Sequence, residues 1–233
     1  GIITFITLLK IPAPYGKFSK TNWGPMIPSK LGWIVMEIIS PLALLYFFLN
    51  GNIEKTPTNI TFISLWTLHY FNRSVIYPLR QNNPAQMPLI IAVLAFLFNV
   101  MNGYINGTYF GSIQEYSAEY MSNWNFIVGV CLFIIGAYIN IKSDNILLSL
   151  RSKSGEYKIP EGFMFRYVSF PNYLGEILEW MAFAIMTWSL AGLSFMIWTM
   201  ANLVPRAIKG HQWYHSKFES YPKNRKAIFP FII

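Results

Sequence analysis

Polar side chains that could do chemistry lie inside otherwise apolar stretches of this chain. They are Glu37 in GWIVMEIISPLALL, Tyr70, Arg73 and Tyr77 in LHYFNRSVIYPL, Asn140 and Asp144 in YINIKSDN, Asn172, Glu176 and Glu179 in FPNYLGEILEW, and Asn202 and Arg206. An Asp or Arg at the centre of a membrane helix costs about 2.5–3.5 kcal/mol on insertion scales, so such residues need a compensating role. Interhelical hydrogen bonding would explain any one of them. Polar stripes on five helices are harder to explain by packing alone.

The spacing of these residues places them on shared helical faces. Tyr70, Arg73 and Tyr77 follow at i, i+3 and i+7, and Asn140 and Asp144 at i and i+4. Arg151 continues the second stripe if its helix persists that far. Arginine suits phosphate groups because the planar guanidinium matches their geometry. The pattern therefore favours a site for a long, phosphate-bearing ligand.

The elements that position these residues are predicted to be membrane helices. Of the 233 residues, 54% are hydrophobic and 12% charged, whereas a soluble domain carries about 25% charged residues. A bilayer core requires about 20 helical residues per crossing. Breaks at Pro, Asn and Gly then predict an all-α, seven-helix bundle embedded in the membrane. Its spans are 1–11, 31–49, 60–79, 88–107, 123–142, 173–190 and 191–208, with a hairpin at Leu190-Ala191-Gly192.

Basic residues test this span count and give an orientation. Every Lys and Arg except Lys55 falls on one side of the predicted bundle, and Glu54, Glu115 and Glu119 fall on the other. The positive-inside rule places the N-terminus outside and the C-terminus in the cytoplasm. The net charge of +8 is thus concentrated on one face, which suits contact with anionic membrane lipids. No motif supports nucleic-acid binding.

Depth along the predicted helices separates the polar residues into two levels. Glu37 lies about 10 Å into the bilayer from Lys30, and Tyr70 about 15 Å from Arg80, so the two could meet at one depth. The residues predicted to lie closer to the cytoplasm are Arg73, Tyr77, Asp144, Arg151 and Arg206. This arrangement predicts a cavity with a phosphate-binding mouth and a drier floor lined by hydrogen-bonding groups.

Other common sites are not supported by the sequence. No Rossmann or P-loop fingerprint occurs, and the three histidines show no metal-binding spacing, so no metal is predicted. The lone cysteine, Cys131, excludes a disulfide framework and is expected to be a buried, inert thiol. Gly103, Gly107 and Gly111 predict a seam of close helix packing.

Four stretches carry a resemblance to a known family. They are LHYFNRSVIYPL, INIKSDNILLSLR, YKIPEGFMFRYVSFPNYLGEILEW and the ending YPKNRKAIFPFII. With these motifs the chain closely resembles the membrane steroid 5α-reductases over nearly its whole length. The resemblance implies one seven-helix reductase domain over 1–233, with its first helix truncated. It also implies NADPH as cofactor and the Δ4 double bond of a 3-oxo steroid as substrate.

The resemblance also implies roles for individual residues. Tyr70 and Glu37 would contact the substrate carbonyl, and Trp33 would form a wall of the steroid pocket. Asn172 and Glu176 would lie near the nicotinamide. The residues that would hold the ribose, adenine and phosphates are Arg73, Tyr77, Asn140, Asp144, Arg151, Arg206 and Tyr214. His211 stands where mammalian members have a run of histidines and is included among the cofactor contacts. Glu179 receives no role from the resemblance and is expected either to support the cofactor-binding residues from behind or to make an interhelical bond.

A mechanism follows as a hypothesis. A hydride delivered to the β-carbon of an enone moves negative charge onto the carbonyl oxygen, which requires donors already aimed at it. Tyr70 would supply a phenolic O–H. Glu37 can donate only when protonated, and desolvation in a bilayer favours that neutral form. The enolate would then take a proton at the α-carbon, with water as the source.

Two alternatives remain open at this stage. Related membrane reductases act on enoyl-CoA or polyprenal substrates, and a seven-helix receptor or transporter would share the predicted topology. A receptor has no need of so many Arg, Asn, Asp and Glu residues at its cytoplasmic mouth. The expected location is the endoplasmic reticulum for a eukaryotic protein and the inner membrane for a bacterial one. No obligate protein partner is evident.

Overall fold

The structure, a computed structural model, describes residues 1–14, 16–18, 21–81, 85–150 and 157–233. Within these ranges the chain forms eight α-helices, two short strands and several short 3₁₀ and π turns. The helices are α1 Ile2–Lys10, α2 Ser29–Leu49, α3 Pro57–Phe71, α4 Tyr77–Leu79, α5 Leu89–Thr108, α6 Trp124–Leu150, α7 Pro171–Thr187 and α8 Leu190–Lys217. A π turn, Asn72–Ile76, joins α3 to α4, and another, Tyr109–Ile113, extends α5. The all-α prediction is confirmed, and each predicted span coincides with helix.

Three helices in the described ranges are long and apolar enough to cross a membrane: Ser29–Leu49, Leu89–Ile113 and Trp124–Leu150. Large apolar side chains such as Leu94 and Leu97 are exposed on them. Exposed apolar residues of this size are expected where a helix faces lipid tails rather than water. A membrane protein is thus supported, and the count of seven spans and the orientation stay predictions.

Helix ends follow local chemistry, and one differs from the predicted hairpin. The Oγ1 atom of Thr56 accepts a hydrogen bond from the N–H of Asn59, with Pro57 at the first helical position of α3. The turn between α7 and α8 lies at Trp188 and Ser189, not at residues 190–192. Trp188 takes the left-handed conformation, and the Ser189 hydroxyl caps α8 by accepting from the N–H of Gly192. The turn therefore lies before the predicted hairpin, because the Ser189 cap lets α8 begin at Leu190.

The described chain divides into two compact units, residues 14–127 and residues 1–13 with 128–233. In the first unit, the strands β1 Met26–Pro28 and β2 Gln86–Pro88 pair antiparallel and lead directly into α2 and α5. The Ser29 N–H donates to the carbonyl of Ala85 at 2.9 Å, and the Leu89 N–H donates to that of Pro25 at 2.8 Å. This ladder fixes the starts of the two helices side by side.

The predicted glycine seam is confirmed as close packing between α5 and α2. A Cβ atom at Gly103 would lie 2.6 Å from the Cβ of Ala43, and one at Gly107 would lie 2.6 Å from the carbonyl oxygen of Leu44. One at Gly111 would lie 2.8 Å from the carbonyl oxygen of Phe48. Only glycine permits such backbone approach. The seam holds α2 and α5 in one fixed register.

The second unit contains α1, α7, α8 and most of α6. α6 and α7 cross closely: a Cβ at Gly136 would lie 2.8 Å from the carbonyl oxygen of Gly175. Beyond α8 the chain returns to the residues that precede α7. The N–H groups of Ser169 and Phe170 donate to the carbonyls of Lys226 and Ala227 at 2.8 and 3.1 Å. This pairing anchors the start of α7.

Cys131 is exposed, so the expectation of a buried thiol was wrong. The physical reason is the face of α6 on which it lies. Ile127, Ile134, Ile135 and Tyr138 share that face at helical spacing and are also exposed. Cysteine is apolar enough to belong to such an outward apolar stripe.

Candidate active site

Tyr70 lies near the end of α3 with its ring almost completely buried, at 4% exposure. The ring stacks on that of Trp66, with centroids 5.6 Å apart. Its hydroxyl donates to the Oδ1 atom of Asn99 on α5 at 3.4 Å, and the Nδ2 atom of Asn99 donates to the Met36 carbonyl at 2.6 Å. The hydroxyl of Tyr70 is therefore linked through one side chain to the turn of α2 that carries Glu37.

Glu37 and Trp33 are half-buried and lie one turn apart on α2. Arg73, in the π turn after α3, reaches the same helix. Its guanidinium lies over the Trp33 ring at 5.3 Å and over the Tyr77 ring at 5.6 Å. Such contacts help to hold a cation in place. Arg73 and Tyr77, which share a helical face in the sequence, are therefore in contact in the structure. Arg73 also contacts Trp33 of α2, a contact that helical spacing could not indicate.

A second cluster lies where α6 crosses α7. Asn172 is 7% exposed, and its Nδ2 atom donates to the Oδ1 atom of Asp144 at 3.0 Å. The Nδ2 atom of Asn140 donates to the backbone carbonyl of Asn172 at 2.9 Å. Because the carboxylate of Asp144 can only accept, the amide orientation of Asn172 is fixed. The Oδ1 atom of Asn172 is then a buried acceptor with no hydrogen-bond donor among the described residues.

Glu176 and Glu179 follow Asn172 along α7. Glu176, one turn on, is half-buried. Glu179 is 2% exposed and lies against α6, because a Cβ at Gly136 would come within 2.9 Å of its Cγ atom. The position between helices agrees with the interhelical role expected for Glu179.

Arg206 on α8 reaches back to α7. Its Nη2 atom donates to the hydroxyl of Tyr173 at 3.2 Å, and its guanidinium lies over the Tyr173 ring at 5.3 Å. Tyr173 in turn stacks on Phe170, with ring centroids 5.2 Å apart. The aromatic pair therefore holds this guanidinium next to the start of α7.

His211 belongs to a hydrogen-bonded network at the end of α8. Its Nδ1 atom and the hydroxyl of Tyr221 each lie 2.6 Å from the Oγ atom of Ser169. Ser169 Oγ also donates to the Lys226 carbonyl at 3.1 Å. Burial lowers the pKa of His211 to about 4, with further contributions from His215, Arg225 and Lys226. His211 is thus neutral near pH 7.

Acidification is expected to destabilise the fold through His211. The unfolded imidazole has a pKa of about 6.5, whereas the folded one has a pKa of about 4. As the pH falls between these values, the unfolded chain binds a proton that the folded chain does not, so the free energy of unfolding decreases. Above about pH 6.5 the imidazole of His211 is neutral in both the folded and the unfolded chain, so it does not change the free energy of unfolding with pH. Thermal unfolding of the detergent-solubilised protein between pH 7 and 4 measures this dependence.

The variant His211→Gln is the reference for that measurement. It cannot titrate, whereas all carboxylates remain as in the parent protein. Its stability is expected to fall less steeply with acid than that of the parent. Equal slopes would contradict a lowered pKa at His211.

Two predicted site residues remain, one buried beside the His211 network and one outside the described chain. Tyr214 is buried in an apolar cluster, where its ring stacks on Tyr221 at 5.1 Å between centroids. That environment assigns it a packing contact, and its contact with a cofactor stays a prediction. Arg151 lies outside the described residues, although α6 does persist to Leu150.

Three polar partners were not singled out from the sequence: Asn99, Ser169 and Tyr173. Asn99 carried the clearest signal, a lone amide in the apolar run FLFNV. Tyr173 lies directly after Asn172 but on a different helical face, so the stripe did not include it. Ser169 is common in turns and has no distinguishing pattern. Only the fold shows what these side chains contact.

Comparison with known proteins gives a consistent result. Residues 85–233 match the family model described as 3-oxo-5-alpha-steroid 4-dehydrogenase. The steroid 5-alpha-reductase DET2 of Gossypium hirsutum is 43% identical, covering 98% of this chain and 92% of the relative. The protein of the same name from Arabidopsis thaliana is 42% identical over 100% of this chain and 92% of its own length. The 3-oxo-5-alpha-steroid 4-dehydrogenase 1 of Rattus norvegicus is 37% identical, over 100% and 91%.

Proposed function

Since the chain belongs to the 3-oxo-5-alpha-steroid 4-dehydrogenase family, we propose that it reduces the Δ4 double bond of 3-oxo steroids with NADPH. It is an oxidoreductase of steroid metabolism, and the product of the proposed reaction is the 5α-reduced 3-oxo steroid. The observation that carries the proposal is the buried phenol of Tyr70, linked through Asn99 to the turn that bears Glu37.

Tyr70 and Glu37 are proposed to activate the carbonyl of the steroid. Addition of hydride at C5 moves the electrons of the double bond towards the oxygen at C3, and donors already in place stabilise that charge. The hydroxyl of Tyr70 gives one donor, and the protonated carboxyl of Glu37 gives a second. The resulting enolate takes a proton at C4 from water. Trp33, one turn before Glu37, is proposed to line the pocket for the steroid rings.

The polar residues of the second unit are proposed to hold the cofactor. NADPH, when bound, would supply the hydride. The buried acceptor left on Asn172 suits an amide N–H such as that of a carboxamide, because a buried carbonyl without a donor costs free energy. Glu176, one turn away on the same face, can accept a second hydrogen bond. Asn140 and Asp144 fix Asn172 in place.

The arginines are proposed to bind the phosphates of the cofactor. Arg73 and Arg206 are each held over aromatic rings, which orients the guanidinium. Guanidinium geometry suits a phosphate that offers two oxygens. Four further residues are proposed to contact the cofactor because they match the family's motifs: Arg151, Tyr77, His211 and Tyr214.

The proposed setting is a bilayer crossed seven times, with the N-terminus outside. The three long apolar helices support a membrane location. The basic residues would then face the cytoplasm, where NADPH is found. In a eukaryotic cell the corresponding membrane is that of the endoplasmic reticulum, and in a bacterium the inner membrane.

The test is to follow the hydride. The purified protein in detergent is incubated with progesterone and NADPH that carries deuterium at the transferable C4 position. We expect a 5α-reduced product with deuterium at C5. Parallel reactions with an enoyl-CoA and a polyprenal distinguish the related membrane reductases. Reduction of one of those substrates in place of the steroid, or no substrate-dependent NADPH oxidation, would overturn the proposal.

A further inference from the structure

Asn99 occupies a position between the elements that carry the two proposed carbonyl-activating residues. It lies on α5, is 5% exposed, and uses both ends of its amide. Its Oδ1 atom accepts from the Tyr70 hydroxyl at 3.4 Å, and its Nδ2 atom donates to the Met36 carbonyl at 2.6 Å. Tyr70 belongs to α3 and Met36 to α2. One side chain thus joins three helices at the level of the proposed chemistry.

Chemistry fixes which way this amide points. The carbonyl of Met36 can only accept, so the Nδ2 atom must face it and the Oδ1 atom must face Tyr70. The phenol is then the donor, and its proton stays on the tyrosine oxygen and points at Asn99. The phenol has one proton, so Asn99 holds the hydroxyl in place before substrate binds, and a substrate carbonyl receives that proton by replacing Asn99 as its acceptor.

The two hydrogen bonds differ in length, and the difference matters. The bond to Met36 is short, whereas 3.4 Å is long for a bond between a hydroxyl and an oxygen, for which about 2.5–3.0 Å is usual. A long bond is weak, so exchanging this bond for one to a substrate carbonyl costs little. Asn99 is thus bound firmly to α2 and only weakly to the hydroxyl of Tyr70.

The turn of α2 that Asn99 contacts is one that depends on outside support. Pro41 lies inside the helix and has no N–H to donate to the carbonyl of Glu37, four residues earlier. A helix opened in this way bends more readily at that turn. The bond from Asn99 to Met36 braces the residue next to Glu37. The glycine seam between α5 and α2 keeps Asn99 itself in register.

We propose that Asn99 is a positioning residue for the reduction: it holds the Tyr70 hydroxyl in donor orientation and braces the turn that carries Glu37. This rests on the proposed function, because it assumes that Tyr70 donates to the substrate carbonyl. Asn99 acts through Tyr70 and Glu37 and contacts no reacting atom itself.

The competing explanation is a buried amide that only stabilises the fold, and α5 offers a matched control. Asn102 lies three residues further along the same helix and is 4% exposed. The Nδ2 atom of Asn106 donates to the backbone carbonyl and to the Oδ1 atom of Asn102, each at 3.1 Å. Replacing Asn102 therefore removes a buried amide of the same type and helix without touching the bond to Tyr70.

The experiment compares Asn99 and Asn102 variants in two backgrounds. Asn99→Ala leaves a cavity where the side chain was, whereas Asn99→Leu keeps a side chain of similar size without the amide. An effect that both variants share therefore comes from the loss of the amide. Each is made alone and together with Tyr70→Phe, as are Asn102→Ala and Asn102→Leu. Turnover of progesterone, KM for the steroid and Kd for NADPH are measured. In the parent background we expect both Asn99 variants to lower kcat by about 10- to 100-fold, with Kd for NADPH unchanged.

The Tyr70→Phe background decides between the two explanations. With no hydroxyl left to position, the Asn99 variants are expected to lower kcat less than in the parent, and the effect that remains measures the bracing of the turn that carries Glu37. The Asn102 variants are expected to change kcat by the same factor in both backgrounds. An Asn99 effect that is equal in both backgrounds would overturn the positioning of Tyr70, and an effect absent from the parent would overturn the whole inference.

The same data separate this inference from the proposed function. If Tyr70→Phe retains full kcat, the role of Tyr70 in the proposed function is wrong. If Tyr70→Phe is slow but neither Asn99 variant is, the proposed function stands and only the positioning role of Asn99 is wrong.

Discussion

Replacing Tyr70 with phenylalanine is expected to lower kcat for the steroid by about 10²–10³-fold. The substitution removes one oxygen from a ring that is buried and stacked on Trp66, so the packing is kept. What is lost is a donor for the carbonyl oxygen at the moment when negative charge develops there. The affinity for NADPH, measured as Kd with the purified protein, is expected to change little.

The control for this prediction is the same substitution at Tyr104. That tyrosine lies on α5 in the same unit, is 49% exposed, and packs edge to face on Phe47. A phenylalanine keeps that contact, so Tyr104→Phe is expected to leave kcat unchanged. Full turnover by Tyr70→Phe would show that its hydroxyl does not activate the carbonyl. A parallel loss in NADPH affinity would instead indicate a structural effect.

Replacing Gly175 with alanine is expected to disrupt the second cluster and to lower the affinity for NADPH at least about tenfold. The added methyl group would lie 2.5 Å from the backbone nitrogen of Asn140 and 2.6 Å from the carbonyl oxygen of Gly136. Both are backbone atoms of α6, so α6 and α7 must move apart. Such overpacking costs about 1–3 kcal/mol. It also lengthens the bond from Asn140 to the Asn172 carbonyl, one turn from the contact.

Gly192→Ala is the matched control for Gly175→Ala. A methyl group there meets the hydroxyl oxygens of Thr187 and Ser189 at 2.9 and 3.1 Å and the Cα atom of Ala184 at 3.3 Å. The two closest contacts are side-chain atoms, which adjust more easily than backbone, and the backbone contact is much longer than those at Gly175. Thermal unfolding and NADPH titration of both variants measure the effects on stability and affinity. Equal NADPH affinities for the parent and Gly175→Ala would contradict the link between this crossing and the cofactor.

The helices could be predicted from the sequence because each depends on local signals. Long apolar runs set their lengths, and the glycine seam marks a helix contact that the structure reproduces. The hairpin was predicted at residues 190–192 and lies at Trp188 and Ser189. The shift arises because the Ser189 hydroxyl caps α8, so the helix begins at Leu190. Cys131 was misjudged because burial depends on which face of α6 turns inward.

The candidate site was predictable only in part. Helical spacing grouped Arg73 with Tyr77 and Asn140 with Asp144, since neighbours three or four residues apart share a face. It could not show that Trp33 contacts Arg73 or that Asn172 contacts Asp144, because those pairs join separate helices. The π turn at Asn72–Ile76 also has no sequence signature, because tertiary packing selects it. The contacts of Asn99 could not be predicted for the same reason, because Tyr70 and Met36 are distant from it in sequence.

The pairing of Ser169 and Phe170 with Lys226 and Ala227 has a consequence for biosynthesis. The ribosome makes α7 and α8 before it makes the segment that anchors the start of α7. During translation, Asn172 is therefore made before Lys226 and Ala227, whose carbonyls anchor the start of its helix. The second cluster can reach its final geometry only after Ala227 has left the ribosome, so nascent chains that stop within α8 cannot complete it.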